Sequence, residues 1–103
     1  MTNILDLQKM LKSAKEMQDK LQREMAEMRV EGTSGGGMVT VVLDGQKHLL
    51  SVRFESEVVN KDEIDMLHDL TIAAFNDAAA KVDEALGRKL GGLTGGLKIP
   101  GIG

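Results

Sequence analysis

The sequence predicts an α+β fold in which two long helices flank a small antiparallel sheet, in the order α-β-β-β-α. An amphipathic pattern with helical spacing runs from residue 3 to about residue 28, and a second runs from residue 61 to about residue 90. Between them, a glycine cluster leads directly into alternating β-branched residues, which indicates a tight corner between two strands. At 103 residues the chain has the length of one domain.

The first helix is expected to begin at Asn3, a good N-cap residue, with Asp6 in its first turn. Its apolar residues fit a heptad, the spacing of helices that pack as coiled coils. Seven of the eight seam positions are apolar, namely Ile4, Leu7, Leu11, Ala14, Leu21, Met25 and Met28, and Gln18 is the exception. A helix of about 25 residues is nearly 40 Å long. We therefore expect part of it to project from the sheet or to pack on a partner chain.

The central segment predicts three strands at residues 29–34, 38–43 and 48–55. The first corner contains Gly35, Gly36 and Gly37, and glycine adopts the positive φ angles of tight turns without steric cost. Asp44 and Gly45 form the signal for the second turn. Because both connections are short, we expect the strands to be antiparallel.

The second helix is expected to start after Asn60, with Glu63 three residues further on as in a capping box. Its middle, residues 72–80, is apolar over more than one face, whereas a small sheet covers only one face of a helix. The excess predicts a subunit interface, for which we select Leu70, Ala74, Phe75 and Ala78. We expect residues 1–90 to form the single domain and residues 91–103 to form a flexible Gly-rich tail.

Composition and spacing exclude several kinds of site. The chain has no cysteine, which removes disulfide and thiolate chemistry. The loop of residues 32–37 is followed by a strand and lacks the Lys-Ser/Thr pair of a phosphate loop, so we interpret it as a turn. His48 and His68 have no acidic neighbours at a metal-ligand spacing. We therefore expect no enzyme, catalytic residue, metal, cofactor or small-molecule substrate.

The apolar segments are too short to span a membrane, so we expect no membrane partner. No apolar run approaches the roughly 18 residues that a membrane helix needs, and charged residues interrupt the N-terminus early. We therefore expect a soluble, cytoplasmic protein.

The basic residues indicate a local patch in an acidic chain. The formal net charge is −3, so binding to nucleic acid would need such a patch. Residues 2–15 contain Lys9, Lys12 and Lys15 but only one acid, which makes this end +2. Arg88 and Lys89 lie near the end of the second helix. Because the chain lacks both an aromatic platform for single strands and a recognition-helix signature, duplex DNA held through its phosphates is the ligand that fits.

A second interpretation remains open, in which the lysines only keep the protein soluble. The Met-rich seam of the first helix and the apolar second helix would then recruit a protein partner, since methionine is adaptable at binding surfaces.

An ordered set of short motifs covers nearly the whole chain: Leu11-Lys12, Ala14-Lys15, Val30-Glu31-Gly32, Gly35-Gly36-Gly37-Met38-Val39, Asp44-Gly45, Asp65-Met66-Leu67-His68-Asp69-Leu70, Ala73-Ala74-Phe75-Asn76-Asp77-Ala78 and Leu93-Thr94-Gly95-Gly96-Leu97. This set resembles the YbaB/EbfC family of bacterial nucleoid-associated DNA-binding proteins. The resemblance implies a tweezer-like homodimer in which the paired sheets and second helices meet and the long helices project. It also implies cytoplasmic, nucleoid-associated DNA binding, a role in nucleoid organisation or gene expression, and no catalysis.

Overall fold

The computed structural model describes residues 3–93 and has the predicted order of elements. Helix α1 spans Ile4–Glu27, and strands β1, β2 and β3 span Val30–Ser34, Val39–Leu43 and Leu49–Phe54. Two short 3₁₀ turns, Ser56–Val58 and Lys61–Glu63, lead into helix α2, Ile64–Leu93. The α+β prediction is confirmed. Helix α2 includes residues 91–93 of the predicted tail, and residues 94–103 lie outside the described residues.

The ends of the helices follow their capping residues. Asn3 Oδ1 accepts a hydrogen bond from the Asp6 N–H at 2.8 Å, which confirms the predicted N-cap of α1. Asn60 Oδ1 accepts from the Asp62 N–H at 2.9 Å, but this bond begins a 3₁₀ turn. The α-helical part of α2 therefore begins at Ile64, three residues later than predicted.

The three strands form one antiparallel sheet in the order β1-β2-β3. The corner between β1 and β2 explains the glycine cluster, because Gly35, Gly36 and Gly37 have φ angles of 59°, 68° and 96°. Side chains other than glycine rarely adopt such angles. The predicted turn at Asp44 and Gly45 joins β2 to β3.

Helix α2 packs on β1 and β2, and Gly32 is the point of closest approach. A Cβ atom on Gly32 would overlap the Ala78 backbone nitrogen and the Ala74 carbonyl oxygen. Ala74 and Ala78 are fully buried for the same reason: their small side chains let the helix backbone approach the strand. They belong to the buried apolar core, which consists of Val39, Val41, Leu43, Val58, Ala74, Ala78 and Val82.

Two parts of the protomer remain uncovered. All six residues of β3 are exposed, because α2 lies over the other two strands. Helix α1 has no buried residue and contributes to an overall extent of 72 × 27 × 16 Å. The protomer therefore consists of a packed sheet-and-helix body and a helical arm, α1.

Candidate nucleic-acid interface

The three lysines predicted to contact DNA lie on the free half of the α1 arm. Lys9, Lys12 and Lys15 are all exposed. Within residues 3–93 none of them forms an ion pair with an acidic side chain. At a rise of 1.5 Å per residue they span about 9 Å of the helix axis. The arm therefore presents a short row of uncompensated positive charges.

This row and the apolar heptad lie on different faces of α1. Successive residues turn by about 100° around the axis, which places Lys9 nearly opposite Leu7 and Leu11, Lys12 about 120° from the middle of the heptad seam and Lys15 at its border. The face with Lys9 and Lys12 also carries Lys20 and Arg23, which we did not select as DNA contacts from the sequence. Glu16 and Glu27 project from the same face of the helix as Lys20 and Arg23. Only the N-terminal half of this face is therefore uniformly basic.

At the end of α2, the structure separates the two residues that the sequence grouped. Arg88 is exposed and forms no ion pair within the described part of the chain. Lys89 is half-buried, and its Nζ lies 3.0 Å from Glu24 Oε2 on α1. The hydrogen bond from Lys89 lowers the pKa of Glu24; burial opposes this shift, and the charges of Lys89, Lys20 and Arg23 add to it. The ammonium of Lys89 therefore joins the two helices.

A groove of about 450 Å³ lies beside this ion pair. It runs between α1 and the end of α2, and Leu21 is the one heptad seam residue among its lining residues. Its lining consists of Ser13, Glu16, Met17, Lys20, Leu21, Glu24 and Lys89.

The arm is fastened to the body at its C-terminal end. The Gly45 N–H, in the β2–β3 turn, donates to the Met25 carbonyl at 2.8 Å. A Cβ atom on Gly45 would lie 2.7 Å from Met28 Sδ, so a larger residue would push the arm away. Arg29 closes α1, since its guanidinium donates to the carbonyls of Ala26 and Met28 at 3.0 and 2.8 Å.

Asp44 shapes the turn that holds the arm. Its carboxylate accepts from the N–H groups of Gln46 and His48 at 2.8 and 2.9 Å, and lies 2.8 Å from His48 Nδ1. Burial favours the neutral acid, but the bonds from His48 and Gln46 prevail and lower the pKa of Asp44. On the same turn Lys47 has a φ of 65° and pairs with Asp83 of α2 at 2.9 Å. The turn thus connects α1, the sheet and α2.

The residues selected for a subunit interface have different environments. Ala74 and Ala78 are fully buried in the protomer and offer no surface to a partner. Leu70 is half-buried, packs against the core, and its carbonyl accepts from the Ser34 hydroxyl. Phe75 is 36% exposed. Of the four, Phe75 therefore has the most accessible side chain.

The residues that we selected for a subunit interface do not include the exposed surface of β3. Val52 and Phe54 lie opposite Val41 and Val39, so their side chains are on the α2 side of the sheet, yet they are 36% and 39% exposed. An alternating apolar strand gives no sign of whether a helix covers it.

Within residues 3–93, no group of three or more histidine or acidic side chains is placed to hold a metal ion. Neither α1 nor α2, over the same residues, contains an apolar stretch long enough to cross a membrane.

Comparison with known proteins identifies the family. Residues 2–97 match the model of the YbaB/EbfC DNA-binding family. The chain belongs to this family. It is 43% identical over 97 residues to a nucleoid-associated protein of Koribacter versatilis, which covers 94% of this chain and 96% of the relative. It is 54% identical over 78 residues to a nucleoid-associated protein of Geobacillus kaustophilus, which covers 76% of this chain and 72% of the relative.

A solved structure shares the fold of this chain. The crystal structure of an uncharacterized Helicobacter pylori protein superposes with a TM-score of 0.76 at 20% identity, and covers 92% of this chain and all of the other. At that identity the likeness concerns the fold alone. The family match makes DNA the relevant ligand class for this chain.

Proposed function

We propose that this chain is a nucleoid-associated protein that binds duplex DNA as a homodimer, mainly through backbone phosphates. Such a protein would work in the cytoplasm on the nucleoid and would organise DNA or modulate gene expression. The observation that carries the proposal is the position of Lys9, Lys12 and Lys15 on an arm that projects from the body. Phosphate contacts of this kind hold a duplex without reading its bases.

Two arms are better suited to a duplex than one. A single arm offers three lysines within about 9 Å, whereas a dimer doubles this number and places the rows at separate points of the duplex. Arg88 is a further candidate contact because it is exposed and unpaired in the described chain. Lys89 becomes available only if its ion pair with Glu24 opens.

The dimer interface that we propose combines β3 with the adjacent side of α2. Asp77 contacts the free edge of β1 through the Thr33 N–H, so the side of α2 that carries Ile72 and Phe75 is turned toward β3. Ile72 is 59% exposed, and Val52 and Phe54 of β3 are 36% and 39% exposed. An apolar surface of this kind is typical of a protein interface. Leu70 would contribute at its margin.

Fluorescence anisotropy with a labelled duplex tests the DNA-binding proposal. If about four phosphates are contacted, log K falls with log salt at a slope of roughly −3.6. Lys12→Glu should weaken binding at least tenfold at low salt. Lys61→Glu, which makes the same charge change on the body, should leave the affinity within about twofold. Equal losses in both variants would mean that only net charge matters, and would overturn the assignment of the arm.

Light scattering on the purified protein tests the dimer. Phe75→Asp should give a folded monomer with weaker DNA binding, whereas Leu5→Asp, on the exposed side of the arm, should remain dimeric. A Phe75→Asp protein that stays dimeric would contradict the proposed interface. A folded monomer with full affinity would contradict the need for two arms.

A protein-interaction module is the second candidate function, and the exposure of the apolar residues of α1 favours it. Absence of duplex binding at low salt would leave this function as the better explanation.

Random and GC-matched duplexes in the anisotropy titration separate a protein that reads only the DNA backbone from a sequence-specific regulator, because only the regulator prefers one of them strongly.

A further inference from the structure

The α1 arm carries an apolar stripe that nothing in the described protomer covers. We name this stripe, formed by Ile4, Leu7, Leu11 and Ala14, the α1 seam. Ile4 is 74% exposed, Leu7 50% and Leu11 63%. Lys89 of α2 meets α1 at Glu24, further along the arm, and none of these four residues lines the groove beside that ion pair. A contiguous apolar stripe rimmed by polar residues marks an interaction surface.

The charges on α1 indicate what fits this surface. Residues 3–15 contain three lysines and Asp6, which gives +2. Residues 16–27 contain Lys20 and Arg23 with four acidic residues, which gives −2, or −1 when Glu24, already paired with Lys89, is left out. Two copies of α1 in antiparallel orientation therefore bring oppositely charged halves together, whereas a parallel pair superposes like halves. The antiparallel orientation also keeps the two bodies at opposite ends of the pair.

The borders of the seam are compatible with a second copy. Gln8, Met10 and Met17 are uncharged, and Lys15 is the single charged residue that flanks the seam over residues 4–18. Apolar residues at heptad spacing are also what a second such helix can interdigitate with. We propose that the α1 seam binds α1 of a second copy in an antiparallel pair, with Leu11 of one arm against Ala14 of the other and with Leu7 and Ile4 beside Gln18 and Leu21 of the second arm.

This pair would connect DNA duplexes. The basic faces of the two arms, which carry Lys9 and Lys12, point to opposite sides of the pair because each lies opposite its own seam. Each face can then hold a separate duplex, so the paired arms bridge two DNA molecules. The bridging rests on the proposed DNA binding, whereas the pairing of the arms does not.

The pair is expected to be weak by itself. It would bury on the order of 1,000 Å² in total, which is at the low end for specific interfaces. Several arms held on the same two duplexes raise the effective concentration of the seams. We therefore expect bridging to be strong only when protein dimers have accumulated on DNA.

Cysteine cross-linking without DNA tests the geometry, since the natural chain has no cysteine. An equimolar mixture of Leu11→Cys and Ala14→Cys should form the mixed disulfide under diamide at least fivefold faster than either variant links to itself. Glu16→Cys, on the opposite face, is the control for random collision. Self-linking of Leu11→Cys as the main product would indicate a parallel pair and overturn the proposal. Cross-linking at the Glu16→Cys rate would mean that another occupant, or none, covers the seam, and would overturn it as well.

A bridging assay then tests the consequence. Beads that carry one duplex should capture a second, labelled duplex when the protein is present. The double variant Leu7→Gln, Leu11→Gln should reduce capture at least fivefold while binding a single duplex within about twofold of the natural protein. Leu5→Gln, the same change on the opposite face, should capture normally. Undiminished capture by the double variant would overturn the proposal. If the natural protein did not bind a single duplex, the proposed function would be refuted. The cross-linking experiment would still decide whether the two arms pair.

Discussion

Lys89 Nζ lies 3.0 Å from Glu24 Oε2, so the last turns of α2 are joined to the arm by an ion pair. This contact changes the interpretation of a basic residue that sequence alone assigns to DNA. A lysine bound to a carboxylate in the protein has to leave that partner before it can neutralise a phosphate. Lys89 is therefore bound to the arm through Glu24, whereas Lys9, Lys12 and Lys15 have no acidic partner within residues 3–93.

The first prediction compares Lys89 with Lys12. Lys89→Ala should leave the duplex affinity within about twofold, because its charge is already compensated by Glu24. Lys12→Ala should make the salt slope shallower by about one, because one phosphate is then no longer neutralised. Anisotropy titrations at several salt concentrations measure both quantities. If the two variants changed the slope equally, Lys89 would have to be counted among the residues that bind DNA.

The second prediction concerns the approach of α2 to β1. Gly32→Ala should lower the free energy of unfolding by about 1–3 kcal/mol or more, because the added Cβ meets helix backbone that cannot move aside. Urea denaturation measures the change.

Gly87→Ala is the matched control on α2. An added Cβ there has no atom within 4 Å, and replacing an exposed helical glycine should raise stability by about 0.5–1 kcal/mol. If Gly32→Ala left the free energy of unfolding unchanged, the helix would pack less tightly on the strand than described.

The third prediction is a dependence of stability on acid pH through Asp44. Burial acts to raise the pKa of Asp44, but the hydrogen bonds from His48 and Gln46 together outweigh it and lower the pKa below the ordinary 3.8. A lowered folded pKa means that the stabilisation is complete above the ordinary value and is lost as the pH falls through the lowered one. Between about pH 4 and pH 2, the unfolding temperature of Asp44→Asn should therefore fall less than that of the natural protein. If the unfolding temperatures of the two proteins changed equally with pH, Asp44 would not be the cause of the acid dependence.

The fourth prediction concerns the free edge of the sheet. Asp77 Oδ2 accepts from the Thr33 N–H at 3.0 Å and from Lys81 Nζ at 2.9 Å, and both bonds lower its pKa. Asp77→Ala should expose the Thr33 amide and accelerate its hydrogen exchange by about tenfold. The His48 amide, which is bonded to Asp44, serves as the internal control. Unchanged exchange at Thr33 would mean that another group protects this edge.

The order of elements could be predicted from sequence because local patterns encode it. Apolar spacing located both helices, and the glycine run located the β1–β2 corner, where three successive residues need positive φ angles. The start of α2 was less well predicted. A polar side chain can cap a 3₁₀ turn as well as an α-helix, and Asn60 caps the 3₁₀ turn.

The sequence by itself determined the fold class, the amphipathic arm with its row of lysines, and the motifs of the family. Only the tertiary structure decided which apolar and charged residues are already used within the protomer. Ala74 and Ala78 are buried against Gly32, and Lys89 is paired with Glu24, so none of these three is free to bind a partner. Phe75 and the β3 surface stay exposed. The physical reason is that spacing along a chain identifies the face on which a residue lies, whereas its partner is set by which distant segment packs against that face.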